Sequence, residues 1–366
     1  MTFRFDQLET RPIPLDEVRA AYQRLGSDFD AAPDITARVD VIRRWDELRR
    51  RIDTWGSLAH IRFCQDTRDA DRKRLREEFD ETAPKLTELS LGFIRKVLDS
   101  AARPELEEEL GHHLFAVWEC SVLTYSPAIE KEKVDESKLE AEYEELLGSA
   151  EVEFRGETYN LSTLGKFFEA ADRETRHEAQ RVRWQWFQQN ADKLDRIFDD
   201  LVRVRVGMAA KLGYDDFTGL GYRRMTRTDY GPEEVARYRD AVRQHVVPLC
   251  SRIVEKQATT LGLDKLMYWD EAVQDPRGNP RPQGGHDQLV EQAQQMFDAM
   301  GHGLDAFFRL MIDSRLTDLD GRKGKAVGGF CSELAEQRLP FIYANFNGTK
   351  GDVEVFTHEM GHAFQC

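Results

Sequence analysis

Apolar side chains recur at steps of three and four along most of the chain. From Asp34 they fall at Ile35, Val39, Ile42, Trp45, Leu48, Ile52 and Trp55, one helical stripe facing a core, with Pro33 ahead of the N-cap Asp34. A second long pattern runs through Leu75, Phe79, Leu86, Leu89, Phe93 and Val97, and Pro84 inside it predicts a kink. Pro104 stands where a first helical residue would, followed by Glu105, Glu107, Glu108 and Glu109, acids that suit the positive end of a helix dipole. Lys131 to Leu147 is charge-rich but keeps Leu139, Tyr143 and Leu146 in phase. The period then changes. Val152, Phe154, Gly156, Thr158 and Tyr159 predict a short hairpin, and helical phasing resumes near Ser162 and runs on through Trp184, Leu194, Leu201 and Val204.

Beyond that, Gly231-Pro232 opens a further helix, Asp275 to Gly285 reads as a loop, and helices return from Asp287 to about Ser314. The last fifty or so residues predict a Gly-rich loop over Gly321–Gly329, short strands near Phe330 and over Phe341–Phe346, and a final helix. Pro340 at the head of the second strand fits an edge position, because proline cannot donate a ladder hydrogen bond. The fold class expected is mainly α: a large helical body with a small sheet and hairpin region. A boundary near the hairpin divides it into residues 1–150, a helical domain, and residues 151–366, the start of a second domain.

Composition narrows the function. The 52 basic residues stand against 67 acidic ones, a net charge of −15, which is the wrong sign for a nucleic-acid binder. No apolar run approaches the roughly 18 residues of a membrane span, and the start, MTFRFDQLETRP, carries no secretory pattern. The cysteines Cys64, Cys120, Cys250, Cys331 and Cys366 are widely spaced with no C-x-x-C, which argues against a disulfide framework or a cysteine zinc knuckle. Cytoplasmic location is the expectation. Gly321 to Ala326 is no phosphate loop, because Leu319 stands where its first glycine belongs and Ala326 where a Ser or Thr belongs.

The chemistry lies in the final helix. It contains His358-Glu359-Met360-Gly361-His362, an H-E-x-x-H motif. Residues four apart differ by about 40° on a helix, so both imidazoles can reach one cation. Glu359 lies about 100° from His358, beside that cation rather than on it, the place for a general base acting on a metal-activated water. Val353, Phe356, Met360, Ala363 and Phe364 cluster on the opposite, core-directed face, and Thr349 with Asp352 forms a candidate capping box. The apolar run before the helix, Leu339 to Phe346, is either an exposed edge for main-chain binding of an extended peptide or, equally well by pattern, a buried core strand.

These residues resemble a known family. Pro340 to Thr349, Gly351-Asp352-Val353 and Thr357 to Phe364 are similar to the oligoendopeptidase F and Pz-peptidase branch of the thimet-oligopeptidase-like zinc peptidases. Gly324-Lys325-Ala326 with Gly328-Gly329-Phe330-Cys331, Leu212-Gly213-Tyr214, Gly221 to Met225, Arg227 to Tyr230, Tyr125-Ser126 and the Val152–Tyr159 hairpin resemble it too, so the likeness spans nearly the whole chain. The resemblance implies one Zn²⁺ per complete enzyme, His358 and His362 as ligands, Glu359 as base, and oligopeptide substrates admitted by a deep channel. It points to Gly328, Gly329, Tyr343, Ala344 and Asn345 as substrate-binding residues. It also places the third ligand, a glutamate, on a later helix, beyond Cys366. The expectation is therefore weak zinc binding and little peptidase activity for these 366 residues alone, with a non-catalytic helical remnant or peptide-binding scaffold as the alternative. Phe364 is expected to lack a covering neighbour.

Overall fold

The spacing after Asp34 closes into a single helix because the Asp34 carboxylate accepts from the Ala37 amide at 2.8 Å, capping the first turn. In the computed structural model, which describes residues 3–365, this helix is the second of fourteen. The fifth cysteine, Cys366, lies outside the described residues. The N-terminal helices are α1 (Leu15–Ala31), α2 (Ile35–Gln65), α3 (Ala70–Leu98), α4 (Arg103–Leu110), α5 (His112–Leu123) and α6 (Glu130–Gly148). Strands β1 (Val152–Phe154) and β2 (Glu157–Tyr159) form the expected antiparallel hairpin. Then come α7 (Arg173–Gln189), α8 (Ala191–Lys211), α9 (Phe217–Arg224), α10 (Pro232–Ala241), α11 (Val247–Thr260), α12 (His286–Met300) and α13 (Leu304–Asp313). Strands β3 (Thr317–Asp320), β4 (Phe330–Leu334) and β5 (Leu339–Phe346) lead into α14 (Lys350–Gln365). The mainly α class with a small sheet is what the periodicity predicts.

Three apolar cores hold these elements. The first joins α1, α2, α3 and α5, through Tyr22, Trp45, Trp55, Phe93 and Trp118, and takes Met208 from α8 and Leu220 from α9. The second joins Phe5 and the C-terminal part of α2 (Leu58, Ile61, Phe63) to α12, α13, the three-stranded sheet and α14. The third packs the hairpin against Leu147, Ala179 and Trp186. Helix α2 thus serves the first core with its N-terminal turns and the second with its last ones.

Local differences from the sequence pattern have local causes. The helical phasing expected from near Ser162 to Val204 is realised as a short 3-10 turn over Thr163–Phe167 and then two helices, parted at Asn190, whose side chain and amide both bond back to the Trp186 carbonyl, at 2.9 and 3.1 Å, and end α7. Strand β3, four residues long, is too short for alternation to reveal. It also changes the place of β5. The sheet order is β3-β5-β4, with β5 parallel to β3 and antiparallel to β4, so of the two readings of this run the core strand holds and the edge position suggested by Pro340 does not. Proline is tolerated there because β3 pairs only from Ile342 onward, so Pro340 precedes the overlap.

Candidate metal centre

Helix α14 is set by the turn that feeds it. The buried Asp352 carboxylate accepts from the Asn347 amide at 3.0 and 3.1 Å and from the Gly348 amide at 2.7 Å. The expected Thr349–Asp352 box is therefore replaced by a longer reach back to Asn347 and Gly348, while the Thr349 hydroxyl donates to Asn347 Oδ1 at 2.8 Å. Burial raises the Asp352 pKa, against the backbone amides that hold it charged.

One side of α14 is sealed. Phe356 meets Phe308 and Phe346 at centroid separations of 5.8 and 5.9 Å, and Met360 and Ala363 are buried. Phe364 is covered after all, by Phe297 and Phe307, each 5.2 Å away, so the expectation of an uncovered ring is corrected. Val353 is corrected too. It is exposed in the first turn of α14, one turn before the buried Phe356.

The other side carries both histidines, which are exposed. Their Nε2 atoms are 3.2 Å apart and their rings stand at 81°. Two nitrogens bound tetrahedrally at about 2.0–2.1 Å define an edge of roughly 3.3 Å, so this spacing fits a shared Zn²⁺. Glu359 is only 7 % exposed, at the seam between the sealed and open faces, and its carboxylate makes no hydrogen bond or ion pair among the described residues. Among those residues no third His, Cys, Asp or Glu donor joins the pair.

The five residues suggested for substrate contact divide sharply. Tyr343 and Ala344 are fully buried, and β3 and β4 flank both edges of their strand. The Tyr343 hydroxyl donates toward the carbonyls of Cys64 (2.8 Å) and Ala326 (2.6 Å), and the Ala344 carbonyl accepts from Lys325. A substrate role for these two is corrected to a structural one: an apolar run pairing on both sides is a core strand, not an edge. Asn345 donates from Nδ2 to the Ala326 and Gly328 carbonyls, both at 2.8 Å, and so clamps the loop that carries the glycines. Gly328 and Gly329 are exposed beside α14. Gly328 has φ 102°, which disfavours any side chain, and a Cβ on Gly329 would stand 3.2 Å from Val355 of α14 and 3.3 Å from the Tyr343 carbonyl oxygen. These glycines let the head of β4 lie against the histidine helix.

One cluster has no counterpart in the sequence reading. His60 and Cys64 share a face of α2, and Glu144 of α6 closes on them, with ligand atoms all within 4.8 Å of one another. The four-residue spacing on a predicted helix was the available signal; the third member is 80 positions from Cys64.

Comparison with known proteins accords with this architecture. Residues 5–125 match the Peptidase M3 N-terminal domain, and residues 167–366 match Peptidase family M3. The chain is 23 % identical over 228 residues to the chromosomal oligoendopeptidase F of Lactococcus lactis subsp. cremoris, covering 60 % of this chain and 36 % of that protein. Among solved structures it is similar to Pz peptidase A with an inhibitor, at 37 % identity and a TM-score of 0.97, over 99 % of this chain and 64 % of that one. A protein from Bacillus anthracis assigned as an oligoendopeptidase F gives 38 % identity and a TM-score of 0.96, over 99 % of this chain and 67 % of that one. The chain therefore spans about a third of the curated relative and about two thirds of the solved ones. The second family match alone covers more than half of the sequence, and with the helix, sheet and histidine pair in place the chain belongs to peptidase family M3, on its oligoendopeptidase F branch.

Proposed function

We propose that the protein is, or is part of, a zinc-dependent endopeptidase that hydrolyses internal bonds of oligopeptides. The observation carrying this is the 3.2 Å approach of the His358 and His362 Nε2 atoms on the open face of a helix whose other face is packed. His358 and His362 would hold the ion, and zinc when bound supplies Lewis acidity toward the scissile carbonyl. Glu359 takes the proton from the attacking water and returns it to the leaving amine. Its carboxylate is free for this because no side chain among the described residues claims it.

Strand β4 gives the substrate a place. It pairs with β5 on one side and with no described strand on the other, so an extended peptide can add beside it through main-chain hydrogen bonds. Gly328 and Gly329 keep the approach to that strand free of side chains, and Asn345 fixes the loop. In a chain of the relatives' full length, Glu359→Gln should retain zinc at the level of the unsubstituted protein while cleavage of an internally quenched peptide falls by about 10²-fold or more. Undiminished cleavage would remove Glu359 as base. Failure of a chain of the relatives' full length to cleave any oligopeptide in zinc would favour the scaffold reading, which the lack of a third described ligand also supports.

A further inference from the structure

We infer that His60, Cys64 and Glu144 form a second cation site, for a thiophilic divalent ion such as Zn²⁺ or Cd²⁺, separate from the histidine pair of α14. The Cys64 Sγ lies 3.7 and 3.6 Å from the two ring nitrogens of His60 and 4.0 Å from Glu144 Oε2. A tetrahedral ion bound to sulfur at about 2.3 Å and to nitrogen or oxygen at about 2.0–2.1 Å needs edges of roughly 3.5 Å. The two sulfur edges are within about half an ångström of that, and the His60–Glu144 edge, within 4.8 Å, closes by rotation of the partly buried Glu144 side chain. The donor set of one thiolate, one imidazole and one carboxylate suits zinc rather than magnesium or calcium. His60 and Glu144 are only partly buried, which leaves a way in and room for a water as fourth ligand.

The surroundings bear on the charge. Arg76 donates from Nη1 to His60 Nδ1 and lies 4.0 Å from Glu144. Asp80 holds the same guanidinium through Nε, at 2.9 and 3.0 Å. With the thiol protonated, one guanidinium faces two carboxylates and the cluster carries one net negative charge. Binding of a divalent ion expels the thiol proton to solvent and brings that sum to zero, so the cluster is better balanced loaded than empty. Coordination through Nδ1 displaces the guanidinium, and coordination through Nε2 moves the imidazole proton onto Nδ1. Either route gives up the His60–Arg76 bond, and Asp80 keeps Arg76 paired. Phe330, at the head of β4, lies against His60 with centroids 5.3 Å apart and planes tilted by 38°, so the site ties α2 to α6 beside that strand.

The test uses the protein with His358→Ala and His362→Ala, so that only this site is read. Titration with Cd²⁺ should raise an ultraviolet thiolate-to-cadmium charge-transfer band that saturates at one ion per chain. Cys64→Ser should abolish the band, Glu144→Gln should weaken binding by about tenfold or more, and Cys120→Ser, Cys250→Ser and Cys331→Ser should leave it intact. If Cys64→Ser loses its helical circular dichroism, His60→Gln and Glu144→Gln decide the matter by the same titration. No band, a band that survives Cys64→Ser, or affinity unmoved by both His60→Gln and Glu144→Gln would overturn the site.

Discussion

Lys325 shows how a single residue can fix a sheet. Its side chain is fully buried, and Nζ donates to the Asp318 carbonyl (3.0 Å), the Asp318 carboxylate (2.9 Å), the Asp320 carbonyl (3.0 Å) and the Ala344 carbonyl. The β3–β5 register shifts between Asp318 and Asp320, and such an irregularity leaves carbonyls without ladder partners. Lys325 supplies the missing donors and binds β3 to the central strand. Lys325→Met should cost about 3–5 kcal/mol, because it strands a partly desolvated carboxylate and several carbonyls; urea denaturation measures this, and a loss below about 1 kcal/mol would refute the role. From sequence, Lys325 belonged to a glycine-rich loop. Its burial is set by β3 and β5, which lie on either side of it in the chain but meet only in the fold. The histidine pair was legible for the opposite reason: its geometry follows from spacing along one helix.

At the scale of elements, buried charge joins helices that periodicity could only find separately. The charge-rich pattern of α6 is mostly a solvated face, but Glu136 within it is 1 % exposed. It accepts from Lys133 of its own helix (2.8 Å), Arg205 of α8 (2.8 Å) and Arg224 of α9 (3.0 and 2.8 Å). Burial opposes its charge, yet the bonds from Arg224, Lys133 and Arg205 win and hold its pKa at about 2 against an ordinary 4.5. A carboxyl lowered on folding adds stability above its unfolded pKa, and that stability is lost as pH falls through the folded one. The window here is from about pH 4.5 down to 2, and the amount is on the order of 3 kcal/mol. Glu136→Gln should therefore be less stable at neutral pH and show a flatter pH dependence across that window, read by thermal melts at stepped pH. An unchanged slope would mean that Glu136 is not the acid-labile joint. The partners Arg205 and Arg224 lie 69 and 88 positions away, beyond any helical spacing rule, which is why the hub was not legible while α6 itself was.

Across the whole molecule, the apolar cores do not part at the hairpin. Phe5, near the start of the chain, is 3 % exposed and packs 4.2 Å from the ring of Phe341 on β5. Its amide donates to the Ser314 carbonyl at 2.9 Å, Arg62 of α2 covers its ring at 4.5 Å, and Arg62 Nη2 donates to the Phe5 and Leu8 carbonyls at 3.1 and 3.2 Å. The first residues therefore wedge between α2 and the sheet that carries α14, so a segment more than 350 positions upstream supports the strand behind the histidines. A residue-by-residue reading has no access to this, since Phe5 sits in no periodic pattern. Phe5→Ala should remove about 3–5 kcal/mol, the usual cost of emptying a buried phenylalanine site. The loss should be spatially biased. Amide hydrogen exchange should accelerate most in β5 and α14 and least in α1 and α5, because the wedge belongs to the second core and not the first. Uniform acceleration, or none in β5, would mean that the N-terminal segment only covers the sheet and does not hold it.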